Sequence, residues 1–305
     1  MKKLSKPQEA IYYVSRYHRN SITNIAGDIF FKFSITIDEA EKAIKFFLDN
    51  CKIMHTKIVF EKGVPMQTIA PQSMWEKVPV VEFDTKKEYF DWMEDEKTKP
   101  IDMMGQLYRF HIVKVDGQVG IFVVFHHLIG DASSLVIIGK CLGRYLNGEK
   151  DIPFFSYDEY IDNESDYEKS LRYTKDKEYW LEEYKKYDIN YYYLDESKST
   201  RSCRELLTIS KELTNRIKEF GEKHSISEYV VLLSVLAVYY SKVVQKRQFF
   251  IGTPVLNRYT VRETNMMGDF VNQVPIGFDI NADKGFLSVC KETLNKTFTA
   301  FRHQK

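Results

Sequence analysis

The residues with the greatest chemical potential lie together, in Phe125-His126-His127-Leu128-Ile129-Gly130-Asp131-Ala132-Ser133-Ser134. Imidazole is the side chain whose ordinary pKa, about 6.5, lets it take up and return a proton near neutral pH. An apolar run ends in two histidines, a tight loop follows, and a helix pattern begins. Adjacent residues on a strand point to opposite faces. One histidine should therefore face inward and the other outward, which argues against a shared metal ion. The helix start just past the loop offers free backbone N–H groups suited to an anion or a developing oxyanion. A plainer reading stands level with this one on these ten residues alone. In it the histidines are satisfied core residues, and Asp131 or Ser133 only caps the helix.

The surrounding elements follow from periodicity. Thr36 and Glu39 make a capping-box pattern, and Ala40, Ala43, Ile44, Phe47 and Cys51 keep helical spacing, predicting a helix over 34–50. A hairpin is predicted over 57–69, turning at Gly63-Val64-Pro65. Strands at 106–115 and 119–125 flank an Asp116-Gly117 turn. A helix over 133–146 ends at Asn147-Gly148. The polar stretch 157–186 reads as helical, with 162–186 a solvated face, and Tyr191 to Tyr193 as a strand-spaced run. Further on, the pattern predicts a strand at 205–209, a helix from Ser210, and a helix from Ser225 to about Val243 with Glu228 closing a capping box. Strands are predicted at 249–253 and 271–280. Mixed α and β pattern in both halves predicts two lobes, divided as 1–175 and 176–305.

Composition sets limits. At 305 residues the chain is one large domain or two ordinary ones, long enough for a core without staples. Hydrophobic residues at 44% and charged residues at 29% exclude a disordered, collagenous or coiled-coil protein. With 44 basic and 43 acidic residues, no net field draws in phosphates, which argues against a dedicated nucleic-acid binder. Cys51, Cys141, Cys203 and Cys290 are far apart and form no C-x-x-C pair, so no zinc or dithiol motif arises. No phosphate-binding glycine motif occurs either. We expect no metal and no nucleotide cofactor. The N-terminus lacks an apolar leader core, and the apolar run Tyr229–Tyr240 is too short to span a bilayer. A cytoplasmic, non-membrane protein is the expectation.

The segment His126-His127-Leu128-Ile129-Gly130-Asp131-Ala132 resembles the H-H-x-x-x-D-G motif of nonribosomal peptide synthetase condensation domains, which belong to the chloramphenicol-acetyltransferase-like superfamily. Other segments match in the same order. Leu4-Ser5 with Gln8 is similar to the opening L-S-x-x-Q. Ser156-Tyr157-Asp158-Glu159-Tyr160, followed by Tyr179-Trp180, resembles the Y-x-D-Y segment and its downstream tryptophan, with Glu159 for the aspartate. Gly252-Thr253-Pro254-Val255 through Arg258 resembles G-T-P-V-x-x-R, and Gly268-Asp269-Phe270-Val271-Asn272 resembles G-x-F-V-N. Three features depart from the family. Ala132 replaces the motif glycine, a mild change where φ is negative. His55 stands where the family has the arginine that pairs with the motif aspartate. The chain also stops at Lys305, short of the family's usual end, so the resemblance implies a truncated domain.

That resemblance implies an α/β (α+β) fold of two chloramphenicol-acetyltransferase-like lobes in a V, each a mixed sheet with helices, the second incomplete. It implies antibiotic or other secondary-metabolite biosynthesis, with amide-bond formation between a carrier-bound acyl or peptidyl thioester and a carrier-bound aminoacyl amine. The implied partners are donor and acceptor carrier proteins, whose phosphopantetheine arms deliver the substrates, and an adjacent adenylation domain. No cofactor would bind the domain directly. His127 is implied as the proton acceptor or as a group that only orients the amine. His126, Gly130 and Asp131 support the motif, with His55 as the candidate partner of Asp131. Arg258 and Asn272 are weaker candidates for cleft or pantetheine contacts; a salt bridge or backbone satisfaction serves them equally well. Tyr157, Tyr160 and Trp180 read as packing between lobes. Two other readings stay open. One is an acyltransferase with a soluble alcohol or amine acceptor, or an epimerase-like relative. The other is a non-catalytic module that docks a carrier protein.

Overall fold

A computed structural model describes residues 1–71, 77–187 and 206–305. The described residues form two compact units. The first comprises Met1–Glu168 and Arg258–Val271, the second Lys169–Asn257 and Asn272–Lys305. The division thus falls earlier than the predicted 175/176, and residues 258–271 group with the first unit. The physical reason is a buried ion pair, described below, that ties Arg258 to Asp131.

The first unit opens with β1 (Lys2–Lys3) and α1 (Lys6–His18). Ser5 caps α1 and forms a reciprocal capping box with Gln8. Next come β2 (Asn24–Ile29) and α2 (Ile37–Asn50), the latter with the expected Thr36/Glu39 box and a buried face of Ala40, Ala43, Ile44, Phe47 and Leu48. Strands β3 (Thr56–Glu61) and β4 (Val64–Ile69) make the predicted hairpin, though its turn lies at Lys62-Gly63, where both φ values are positive. β4 also pairs with β1. The elements β5 (Val80–Phe83), α3 (Lys86–Thr98), β6 (Tyr108–Val115), β7 (Gln118–His126), α4 (Ala132–Leu146) and α5 (Tyr157–Glu168) follow.

The main sheet has the order β2-β7-β6-β5, with β5 parallel to β6 and the other pairs antiparallel. Asp116 and Gly117 join β6 to β7 with φ of 50° and 78°, the two positive values that a type I′ turn needs. β7 is flanked on both sides, and Ile121 to Phe125 are fully buried. This explains its continuous apolar run, since neither face is left to water. Burial of Phe122 or Phe125 stabilises the fold by about 1.5–3 kcal/mol each. α2 covers one face, with Phe47 against Phe110 of β6. α3 covers the other, with Trp92 against His111 and Phe122. This three-layer packing fixes the end of β7, where the two histidines sit.

The second unit contains α6 (Leu171–Lys185), α7 (Lys211–His224), α8 (Glu228–Val244), β8 (Gln248–Val255), β9 (Asn272–Asp279) and α10 (Phe286–Arg302). β8 and β9 form an antiparallel pair, with Pro275 opposite Gly252. The short helix α9 (Val261–Thr264) belongs to the first unit. Several expectations change here. Ser225 ends α7 in a left-handed conformation (φ 55°) and does not start the next helix; Ser227 caps α8, so Glu228 is its first residue and not a box partner. Residues 206–209 form no strand. Glu205, Cys203 and the Tyr191–Tyr193 run lie outside the described residues. Trp180 packs inside its own unit, donating from Nε1 to the His303 carbonyl at 2.7 Å. No single helix among the described residues is long and apolar enough to cross a bilayer.

Candidate active site

β7 delivers His126 as its last residue and a 310 turn over His127–Ile129 follows. The two rings diverge, as strand alternation requires. His126 is fully buried. Its Nδ1 accepts from the Leu128 N–H at 3.1 Å, which places the proton on Nε2. Nε2 then meets Ser15 Oγ at 2.9 Å and Thr23 Oγ1 at 3.0 Å. Burial lowers its pKa to about 4, with a smaller push from neighbouring His127. His126 is thus a neutral, saturated strut between α1 and the strand end.

His127 is about a quarter exposed, with a side-chain accessibility of 26%. Its Nδ1 is shut off from solvent and makes no hydrogen bond. The exposure therefore lies away from Nδ1, and Nε2 is not among the shut-off, unpaired atoms. Nδ1 lies 3.4 Å from Asp269 Oδ2, an ion-pair separation longer than a charge-assisted hydrogen bond. Burial pulls the His127 pKa down, but Asp269, the residue's own carbonyl and Asp131 outweigh it, so the value rises above 6.5. Burial also raises the Asp269 carboxyl, against the opposing pull of His127.

Asp131 is fully buried. Its Oδ1 and Oδ2 each accept from Arg258 Nη2 at 3.0 Å. Oδ1 also caps α4 through the Ser134 N–H at 3.1 Å, and Oδ2 accepts from the Phe270 N–H at 3.3 Å. Arg258 is itself buried at 3% accessibility. It donates further to the carbonyls of Glu263, Met266 and Gly268 and lies over the Phe270 ring. One carboxylate and one guanidinium therefore lock the motif loop to the segment 258–271. Such a pair is not a large net source of stability, but removing one partner strands a buried charge.

This geometry corrects one expectation and decides between others that were open. His55 does not pair with Asp131: its Nε2 contacts the Leu48 carbonyl at 2.8 Å, at the end of α2. Of the two readings open for Arg258, the salt bridge holds: the buried Asp131 carboxylate takes its guanidinium. At the α4 N-terminus the capping reading of Asp131 holds, since its carboxylate takes the Ser134 N–H. Gly130 has extended backbone (φ −178°) that any residue adopts; glycine is needed for space, since a Cβ there would lie 2.7 Å from the Phe125 ring.

Asn272 donates from Nδ2 to the Gln304 carbonyl at 3.1 Å and so satisfies backbone in the second unit. Tyr157 and Tyr160 pack around Phe270, which lies in the predicted second lobe but groups here with the first unit. Ala132 is the first residue of α4 and has no positive φ, so the lost motif glycine costs little there. Asp269, beside His127, was not among the predicted site residues. Its only signal was an acidic residue at the variable position of Gly268-Asp269-Phe270. Among the described residues, no group of three or more His, Cys, Asp or Glu side chains is arranged to hold a metal ion.

Similarity to known proteins agrees with the fold and with the family resemblance. The family model described as "Condensation domain" matches residues 1–305. The chain is 25% identical over 300 residues to a plipastatin synthase protein of Bacillus subtilis (strain 168), covering 93% of this chain and 12% of that protein. It is 26% identical over 324 residues to a surfactin synthase protein of the same organism, covering 99% of this chain and 9% of that protein. The chain thus spans about a tenth of the length of these curated relatives. Among solved structures, it superposes on the first condensation domain of the calcium-dependent antibiotic synthetase, in complex with a substrate analogue. The TM-score is 0.84 at 15% identity, covering 99% of this chain and 75% of that one.

Proposed function

The chain belongs to the condensation-domain family, and from that premise we propose that it joins a carrier-bound acyl or peptidyl thioester to a carrier-bound aminoacyl amine. The observation that carries the reading is the asymmetry of His127, whose Nδ1 is buried against a carboxylate while the ring's exposure lies away from that nitrogen. In the proposed reaction the amine nitrogen attacks the thioester carbonyl carbon. His127 Nε2 takes the amine proton as the C–N bond forms. The C–S bond then breaks, and the proton returns to the departing sulfur, leaving an amide, a free thiol and a neutral histidine. An α-amine with a pKa of about 8 keeps a usable neutral fraction near pH 7, so the protein's task is positioning and proton transfer.

Phosphopantetheine arms on donor and acceptor carrier proteins are the proposed vehicles for both substrates. An adjacent adenylation domain is the proposed source of the activated amino acid. The sequence similarity to plipastatin and surfactin synthases supports this setting. The Arg258–Asp131 pair supports an enzyme over a mere docking module, because the motif aspartate keeps an arginine partner despite His55.

The test is transfer followed by intact mass. An acyl-loaded donor carrier and an aminoacyl-loaded acceptor carrier are mixed with wild type or His127→Ala. We expect the acceptor to gain the acyl mass with wild type, and the rate to fall about 10²- to 10⁴-fold in the variant. Equal transfer by both proteins would remove His127 from the chemistry.

A further inference from the structure

The segment 258–271 holds a carboxylate against the motif histidine, and it holds it firmly. Gly268 has φ +155°, and a Cβ there would lie 2.1 Å from the Tyr157 ring, so only glycine fits this close approach. Its carbonyl accepts from Arg258 Nη2 at 3.2 Å and from Ser134 Oγ at 3.3 Å. On the far side of Asp269, the Phe270 N–H donates to Asp131. The Asp269 carbonyl itself accepts from the Tyr157 hydroxyl, which also contacts Ser5 Oγ at 2.8 Å. The backbone on both sides of Asp269 is therefore fixed, and its side chain is 1% exposed.

Charge balance singles out its partner. Arg258 is committed to Asp131. Among the described residues, His127 is the only cationic side chain within ion-pair distance of Asp269. His127 Nδ1 and Asp269 Oδ1 are both buried without a hydrogen bond, so neither has water as an alternative. The titratable groups that act on His127 are Asp269 from the 258–271 segment, more weakly Asp131 at the start of α4, and neighbouring His126 of β7; Arg258 is paired with Asp131.

We infer that Asp269 is a positioning residue for His127: it holds the neutral ring with the proton on Nδ1, leaving the Nε2 lone pair toward solvent to accept the amine proton. Which imidazole nitrogen carries the proton is set by what the other one faces. A base oriented by a third group is a recurring arrangement for proton transfer. The inference rests on the proposed role of His127, but the tautomer and titration of the ring can be read without turnover. The one competing acceptor near Nδ1 is the His127 carbonyl.

The experiment is ¹⁵N-histidine NMR of the folded chain from about pH 5 to 9, for wild type and Asp269→Asn. In wild type we expect the Nδ1–H tautomer and a midpoint above 6.5. In the variant the midpoint should drop by about one pH unit or more, since burial then acts with one carboxylate fewer, and the tautomer should change. The His126 resonances, buried against Ser15 and Thr23, report whether the fold is kept. Should Asp269→Asn fail to fold, the wild-type spectrum decides, because an Nε2–H tautomer there would overturn the inference. An unchanged midpoint and tautomer in a folded variant would overturn it equally, in favour of the His127 carbonyl. In the transfer assay, kcat at pH 7 should fall about 10- to 10³-fold with KM for the carriers within about twofold, and the acid limb of the rate profile should move to lower pH. Absence of transfer by wild type would defeat the proposed function while leaving the titration result standing.

Discussion

The two sides of the β7 end take the same side chain in opposite directions. On the His126 side, α1 and the turn before β2 close over the ring, satisfy both nitrogens and push its pKa to about 4. On the His127 side, the segment 258–271 brings in a carboxylate, leaves Nδ1 without a hydrogen bond and raises the pKa above 6.5. Desolvation acts on both rings. Only on the second side does a nearby negative charge outweigh it. One ring is therefore a fixed structural donor and the other titrates beside a carboxylate, although they are neighbours in sequence.

The most forceful way to break this contrast is to release the segment that creates it. Arg258→Ala leaves Asp131 as a buried, unpaired carboxylate, and we expect a loss of about 3–5 kcal/mol in denaturant unfolding. Arg258→Lys keeps the charge but not the fork that spans Asp131 and three carbonyls, so it should recover only part of that loss. A loss below about 1 kcal/mol for the alanine variant would show that the segment does not depend on this pair.

A second test sets the two histidines against each other by pH. His126 has a depressed folded pKa, so the unfolded chain binds its proton first; stability should fall as pH drops from about 6.5 toward 4, by on the order of 3 kcal/mol. His127 has a raised folded pKa, so its contribution is present below about 6.5 and is lost as pH rises through the raised value. Urea unfolding of His126→Gln and His127→Gln across pH 4 to 8 should therefore remove slopes of opposite sign. Two slopes of the same sign would contradict the contrast. The mildest test is Ser15→Ala, which removes one of two hydroxyls at His126 Nε2. It should cost about 1 kcal/mol and leave transfer by His127 unchanged within about twofold.

Much of this arrangement is written locally. The Thr36/Glu39 box, the Asp116-Gly117 turn and the unbroken apolar run of β7 each act over a few residues, so spacing alone revealed them. Ser225 misled because a serine can serve either end of a helix. Here it closes α7 in a left-handed conformation, leaving Ser227 to cap α8, and only the chain's path between the two helices decides that. The pairing of Asp131 was illegible for a similar reason. His55 lies closer in sequence, yet the end of α2 turns its ring to the Leu48 carbonyl, while Arg258 arrives from 127 positions away.

The sequence by itself determined the order of motifs, the strand-to-loop-to-helix path around His126 and His127, and the divergence of those two rings. Each of these depends on local periodicity and backbone sterics. Tertiary structure alone decided what the rings face. Hydroxyls from α1 and the turn before β2 saturate one, and Asp269, brought in on a segment locked by a buried ion pair, stands beside the other. Charge, burial and proximity between distant residues exist only once the chain has folded, and here those three quantities separate a strut from the proposed base.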